Sequence, residues 1–123
     1  MTRSESIVKL LKGLSTLTPD IEAAAVVDND GLMIASSLPQ DIEEDAVAAM
    51  TAALLGLSER VGEELSRGEF KQVLLQATNG FAVLSRAGQD AVLTVLTRPN
   101  AKLGLIFLDV GRASKEIGKL LAS

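Results

Sequence analysis

The stretch FKQVLLQATNGFAVLSRAGQDAVLTVLT, residues 70–97, decides how the rest of the chain is read. Phe70 to Ala77 is rich in branched and aliphatic residues and is bounded by turn formers, the pattern of a strand. Asn79-Gly80 follows; both residues tolerate the positive φ that a two-residue hairpin turn demands. Phe81 to Leu84 answers as the returning strand, Gly88-Gln89-Asp90 makes another turn, and Ala91 to Thr97 supplies a third strand. Three consecutive strands with such short connections form an antiparallel meander.

Working outward, the preceding segment reads as a helix from about residue 41 to 66. Asp41 with Glu44 marks its start, the acidic turn Asp41, Glu43, Glu44 and Asp45 complements the positive end of the helix dipole, and Gly68 is its stop. Val47, Met50, Leu54, Leu57, Val61 and Leu65 recur at three- and four-residue steps and are expected to pack on the sheet. Further upstream, Ile21 to Val27 and Leu32 to Ala35 are short apolar runs either side of Asp28-Asn29-Asp30-Gly31, a second hairpin. Thr2 and Glu5 have capping-box spacing ahead of Ile7, Leu10, Leu11, Leu14 and Leu17, an amphipathic helix that Thr18-Pro19 ends. Downstream, Arg98-Pro99-Asn100 closes the sheet, and residues 103 to 121 carry Leu103, Ile106, Val110, Ala113, Ile117 and Leu120 at helical steps. The predicted fold class is an α/β (α+β) sandwich, order α-β-β-α-β-β-β-α, with a five-stranded antiparallel sheet and helices on both faces. At 123 residues, the whole span 1–123 is expected to form a single domain.

Composition narrows the chemistry. The chain has no cysteine and no histidine, which removes thiolate nucleophiles, imidazole bases and the common zinc and iron ligand sets. Three Phe, no Trp or Tyr and a net charge of −4 offer neither a stacking platform nor a phosphate-neutralising face, so nucleic acid is not expected as a partner. Met1 to Glu5 lacks the apolar core of a signal peptide, and no uncharged run approaches the ~20 residues that span a bilayer; a cytoplasmic location is expected.

Motif matches are weak. Asp28-x-Asp30-Gly31 resembles the opening of a calcium loop, but that loop needs glutamate at its twelfth position and Pro39 stands there. Ser6 and Lys9 match Ser-x-x-Lys without the supporting motifs of the hydrolases that use it. Gly104, Gly111 and Gly118 repeat every seven residues and are expected to let the first helix, with Gly13, pack closely on the last. No catalytic residue, cofactor or metal site is expected, and an enzyme is not indicated.

The anomaly lies in AVAAMTAALLGLS, residues 46–58, which has no charge on any side. A helix between a sheet and water should carry charges on its outer face. With Leu54 facing the sheet, Ala48 and Leu55 fall on the flank while Ala52 and Gly56 fall near the back. Either alanine is tolerated there in water, or another chain covers the face; the second reading is favoured. The strand 70 to 77 follows a long crossover and is expected at a sheet edge, which invites pairing. A twofold axis joining two such edges and setting the second helices side by side would cover both features.

In this order the segments AAAVVDNDGLMIASS, AVAAMTAALLGLSERVGEEL, KQVLLQATNGFAVLSR, DAVLTVLT and NAKLGLIFLDVGRASKEIGKLL resemble the roadblock family of dynein-light-chain-like and bacterial gliding-motility regulatory proteins. The resemblance spans essentially the whole chain. It implies a dimer formed through the third strand and second helix, here Ala49, Ala52, Ala53, Gly56, Phe70, Gln72, Val73, Leu74 and Gln76. It also implies a scaffold or regulator of a Ras-like small GTPase, with gliding-motility members stimulating GTP hydrolysis. Ala48, Ala52, Leu55, Glu59, Arg60 and Glu63 are the expected partner-binding positions. Arg60 and Arg67 are the arginines toward the end of this helix, where a supplied cation would help hydrolysis. A small-ligand sensor of the same architecture is the alternative.

Overall fold

Thr2 caps α1 (Arg3–Leu17) as a full capping box: its hydroxyl accepts from Glu5 N–H at 3.1 Å and its own N–H donates to the Glu5 carboxylate at 3.0 Å. The computed structural model describes residues 1–122. After α1 come β1 (Ile21–Asp28), β2 (Met33–Ser37), α2 (Glu44–Glu64), β3 (Gln72–Ala77), β4 (Gly80–Arg86), β5 (Ala91–Thr97) and α3 (Leu103–Ala122). This is the element order read from the sequence.

The five strands form one antiparallel sheet in the order β2-β1-β5-β4-β3, so the meander holds together and β3 is an outer strand. Gly80 takes φ +147 at the hairpin, and a Cβ there would stand 2.0 Å from the Thr97 carbonyl oxygen. No other residue fits. In the first hairpin the Asp28 carboxylate accepts from Asp30 N–H and Leu32 N–H, both at 2.9 Å, so the supposed calcium-loop residue organises its own turn.

Both ends of α2 differ from the sequence reading. Pro39 starts a turn in which Ile42 N–H donates to its carbonyl, so Asp41 lies before the helix; Glu43 is the N-cap and makes no side-chain capping bond. At the other end α2 stops at Glu64, and Ser66 adopts φ +57. The N–H groups of Arg67 and Gly68 both return to the Gly62 carbonyl, and the chain folds so tightly that a Cβ on Gly62 would meet the Gly68 oxygen at 2.1 Å.

α1 and α3 cover one face of the sheet and α2 the other. Beneath α1 and α3 lies the larger core, where Ile7, Leu11, Ile106, Val110 and Ile117 meet Val26, Val83, Leu93 and Val95. Beneath α2 the cluster is Leu55, Phe70, Leu84 and Val92, with Leu54 and Val73 at its margin. Each face also holds one hydroxyl pair: Thr51 with Thr94 at 2.9 Å under α2, and Ser114 with Ser85 at 3.0 Å under α3. The seven-residue glycine repeat does not seat α1. Gly118 packs against Gly88 in the β4–β5 turn, while nothing stands within 4 Å of where a Cβ would sit on Gly13, Gly104 or Gly111.

Candidate functional site

The buried residues of α2 are Val47, Ala48, Thr51, Leu55 and Gly62. Their spacing is helical, but of the expected stripe only Val47 is among them, with Leu54 half-buried at the margin of the cluster. Leu55 is 2% exposed, whereas Met50 is 61% and Leu57 59% exposed, and Val61 and Leu65 are exposed with them. At about 100° per residue, Met50, Leu54, Leu57 and Val61 lie roughly 100° or more round the helix from its buried centre. The helix is therefore rolled relative to the sequence reading. A sheet surface built of Val27, Val92 and Leu84 already fills the space below, so the helix approaches on small residues, and its larger side chains are turned aside.

The direction of that flank is fixed by the opposite one. Ala52 packs against Gly31 in the β1–β2 turn, and Glu59 lies 3.7 Å from Arg86. The stripe of large residues consequently faces the other way, toward the half of the sheet that α2 leaves uncovered. There Leu75, Ala77, Ala82 and Leu96 floor a depression of about 700 Å³ with Ile42, Glu22 and Asp41 on its rim. Strand β3 ends this surface. It pairs only with β4, leaving the outward N–H and C=O groups of residues 72–77 without a strand partner. Its register, Val73 opposite Leu84 and Leu74 opposite Val83, puts Val73 and Leu75 on the α2 side and Leu74 on the other. Leu74 and Leu75 are both exposed.

The residues expected from the sequence separate accordingly. Ala49, Ala53 and Gly56 are exposed on α2, and Gln72, Leu74 and Gln76 are exposed on the edge strand; Val73 is half-buried. Three expected contact positions are not at the surface. Ala48 and Leu55 lie under the helix, and Phe70 is buried against Leu55, Leu84 and Val92. Arg60 and Glu63 are exposed; Arg60 is paired with Glu64 at 3.1 Å, and Arg67 lies beyond the helix with its Nε donating to the Leu65 carbonyl. Met50, Leu57, Val61 and Leu75 are what the sequence reading missed. The signal available was Ala48, Thr51, Leu55 and Gly62, a second helical stripe made of small residues around one leucine.

A second depression, about 580 Å³, opens at the far end of α2. Arg86 organises it: the guanidinium sits 5.5 Å from the Phe70 ring centroid, donates to Asn29 Oδ1 at 2.8 Å and faces Glu59. These contacts tie the β1–β2 turn, the β4–β5 turn and α2 together. Among the described residues, no group of three or more acidic side chains is placed to hold a metal ion, and no helix is long and apolar enough to cross a membrane.

A five-stranded antiparallel sheet with two helices on one face, one on the other and the third strand at an open edge defines the roadblock/profilin-like class. The chain belongs to the Roadblock/LC7 domain family, whose family model matches residues 7–97. It is 36% identical over 100 residues to the uncharacterized protein MJ1340 of Methanocaldococcus jannaschii, covering 81% of this chain and 87% of that protein. Among solved structures it superimposes on the gliding protein mglB of Thermus thermophilus with a TM-score of 0.88 at 21% identity, over 98% of this chain and 91% of that one. The Roadblock/LC7 domain from Streptomyces avermitilis gives 0.87 at 24% identity, over 94% and 98%. At those identities the structures speak to the fold.

Proposed function

We propose that this chain is a non-enzymatic homodimeric scaffold of the cytoplasm that binds a Ras-like small GTPase in signalling and modulates its GTP hydrolysis. One observation carries the reading: α2 turns Met50, Leu57 and Val61 to solvent on the sheet face that ends in the open edge of β3. An apolar flank on the same face as an open ladder is a surface that association removes from water. Two β3 strands meeting antiparallel about a twofold axis would extend the sheet to ten strands and bring the two α2 flanks over each other's uncovered sheet halves. Membership of the Roadblock/LC7 family supports the choice of a GTPase as the further partner. The exposed positions that remain for it are on the outer surface of the helix pair, including Arg60 and Glu63.

The experiment is purification from lysate in the presence of GTP or GDP, followed by measurement of hydrolysis by the co-eluting protein. A nucleotide-dependent GTPase companion is the expected result. Recovery of the chain with no nucleotide-binding protein under either condition, or with one whose hydrolysis the chain leaves unchanged, contradicts the corresponding part of the proposal.

A further inference from the structure

The two layers of the molecule carry opposite charge. Residues 21–97, which contain the sheet and α2, hold four cations and twelve carboxylates, a net of −8. Residues 1–20 and 98–123, which contain α1 and α3, hold eight cations and four carboxylates, a net of +4. The overall −4 therefore hides a strong dipole directed through the sheet.

On the basic layer five cations are grouped. Lys9, Lys12, Arg112, Lys115 and Lys119 are all exposed, and among the described residues none has a carboxylate at ion-pair distance. Lys9 and Lys119 line the same furrow between α1 and α3. Nearby carboxylates are accounted for: Asp109 accepts from the Thr18 hydroxyl, Glu5 is held in the capping box, and Glu116 sits within the furrow. Apolar side chains protrude from the same layer. Leu17 is 84% exposed where it borders Asp109 and Arg112, and Leu105 and Leu108 project from the first turns of α3 on the arc that also bears Lys115 and Lys119.

We propose that the α1/α3 layer is a docking face for an anionic lipid surface. Lysines and an arginine beside single protruding leucines match a headgroup layer, which offers negative charge above an apolar phase. A nucleic acid would meet the cations but give the leucines nowhere to go, and none of the three Phe is exposed on this layer. The acidic α2 layer would then point away from the lipid, which leaves the α2 and β3 surface accessible. Where the proposed twofold dimer forms, antiparallel edge pairing keeps both basic layers on one side of the joined sheet, so the dimer binds more tightly than one chain; this clause rests on the preceding functional reading.

The test is vesicle flotation of the full chain with phosphatidylcholine alone and with about 30% phosphatidylglycerol added, at roughly 0.05 M and 0.5 M salt. Binding is expected to the anionic vesicles only, to fall about tenfold or more at the higher salt, and to be lost in Lys9→Glu/Lys115→Glu/Lys119→Glu. Leu108→Ser is expected to weaken it several-fold while the solution mass stays that of wild type. Equal binding to both vesicle types, salt-insensitive binding by wild type, or tighter capture by duplex DNA than by anionic vesicles overturns the proposal. A β3-edge variant that becomes monomeric yet still binds anionic vesicles more weakly separates a failed dimer from a failed lipid face.

Discussion

The two faces of the sheet are covered by different means. Under α1 and α3 the large aliphatic side chains of the helices point inward, and Ile7, Leu11, Ile106, Val110 and Ile117 are fully out of water. Under α2 a single leucine, Leu55, fills that role among Ala48, Thr51 and Gly62, while four larger side chains stay exposed on its flank. One layer uses its apolar surface for its own fold; the other holds it available for a neighbour.

Truncations ought to rank by that contrast. Leu11→Ala, in the larger core, is expected to lose about 4 kcal/mol in denaturant unfolding, because the packed surroundings cannot close the cavity. Leu55→Ala should lose about 2–3 kcal/mol, since the cluster under α2 is small and the helix can settle onto the sheet. A loss at Leu55 equal to that at Leu11 would erase the distinction between the layers.

The hydroxyl pair under α2 gives a finer probe. Thr51→Val strands the buried Thr94 hydroxyl and is expected to cost about 1–2 kcal/mol, whereas Thr51→Val/Thr94→Val should return most of it. A double variant as unstable as the single would show that packing volume, not the hydrogen bond, positions the helix.

The capping box of α1 is the smallest stability effect. Thr2→Ala should lower stability by about 1 kcal/mol. The Thr2 backbone N–H, and after it the Thr2 side chain, hold the Glu5 carboxyl below the ordinary glutamate range. A depressed folded-state value contributes fully above the unfolded one and fades as pH falls through the folded one. The gap between wild type and Glu5→Gln should therefore narrow on acidification below the glutamate range; a constant gap would assign the effect to something other than the carboxylate.

How much of this was legible follows the physics of each signal. Thr2 with Glu5 and the crossover into β3 act through local backbone geometry and produced the cap and the edge that their residues imply, whereas the hairpin lies one residue earlier than Asn79-Gly80 suggests: Ala77 pairs with Gly80, so the loop is Thr78-Asn79. The roll of α2 was not legible from side-chain size, because burial depends on how much room the opposing surface leaves. Met50, Leu57 and Val61 look like core residues by hydropathy, yet the residues of α2 that the sheet buries around Leu55 are Val47, Ala48, Thr51 and Gly62. Leu55→Asp, which from the sequence alone reads as a probe of the outer face, would instead bury a carboxylate. Gly104, Gly111 and Gly118 share a spacing but not a neighbour, so their periodicity carried no packing information.

Light scattering on wild type and on Leu57→Asp/Val61→Asp tests the central claim most directly. Both positions are exposed, so the charges leave the single chain folded, as its far-ultraviolet circular dichroism should show. The account predicts twice the mass of one chain for wild type and one chain's mass for the variant. A wild-type protein that stays at one chain's mass at its highest soluble concentration, or a variant that keeps the doubled mass, would contradict it.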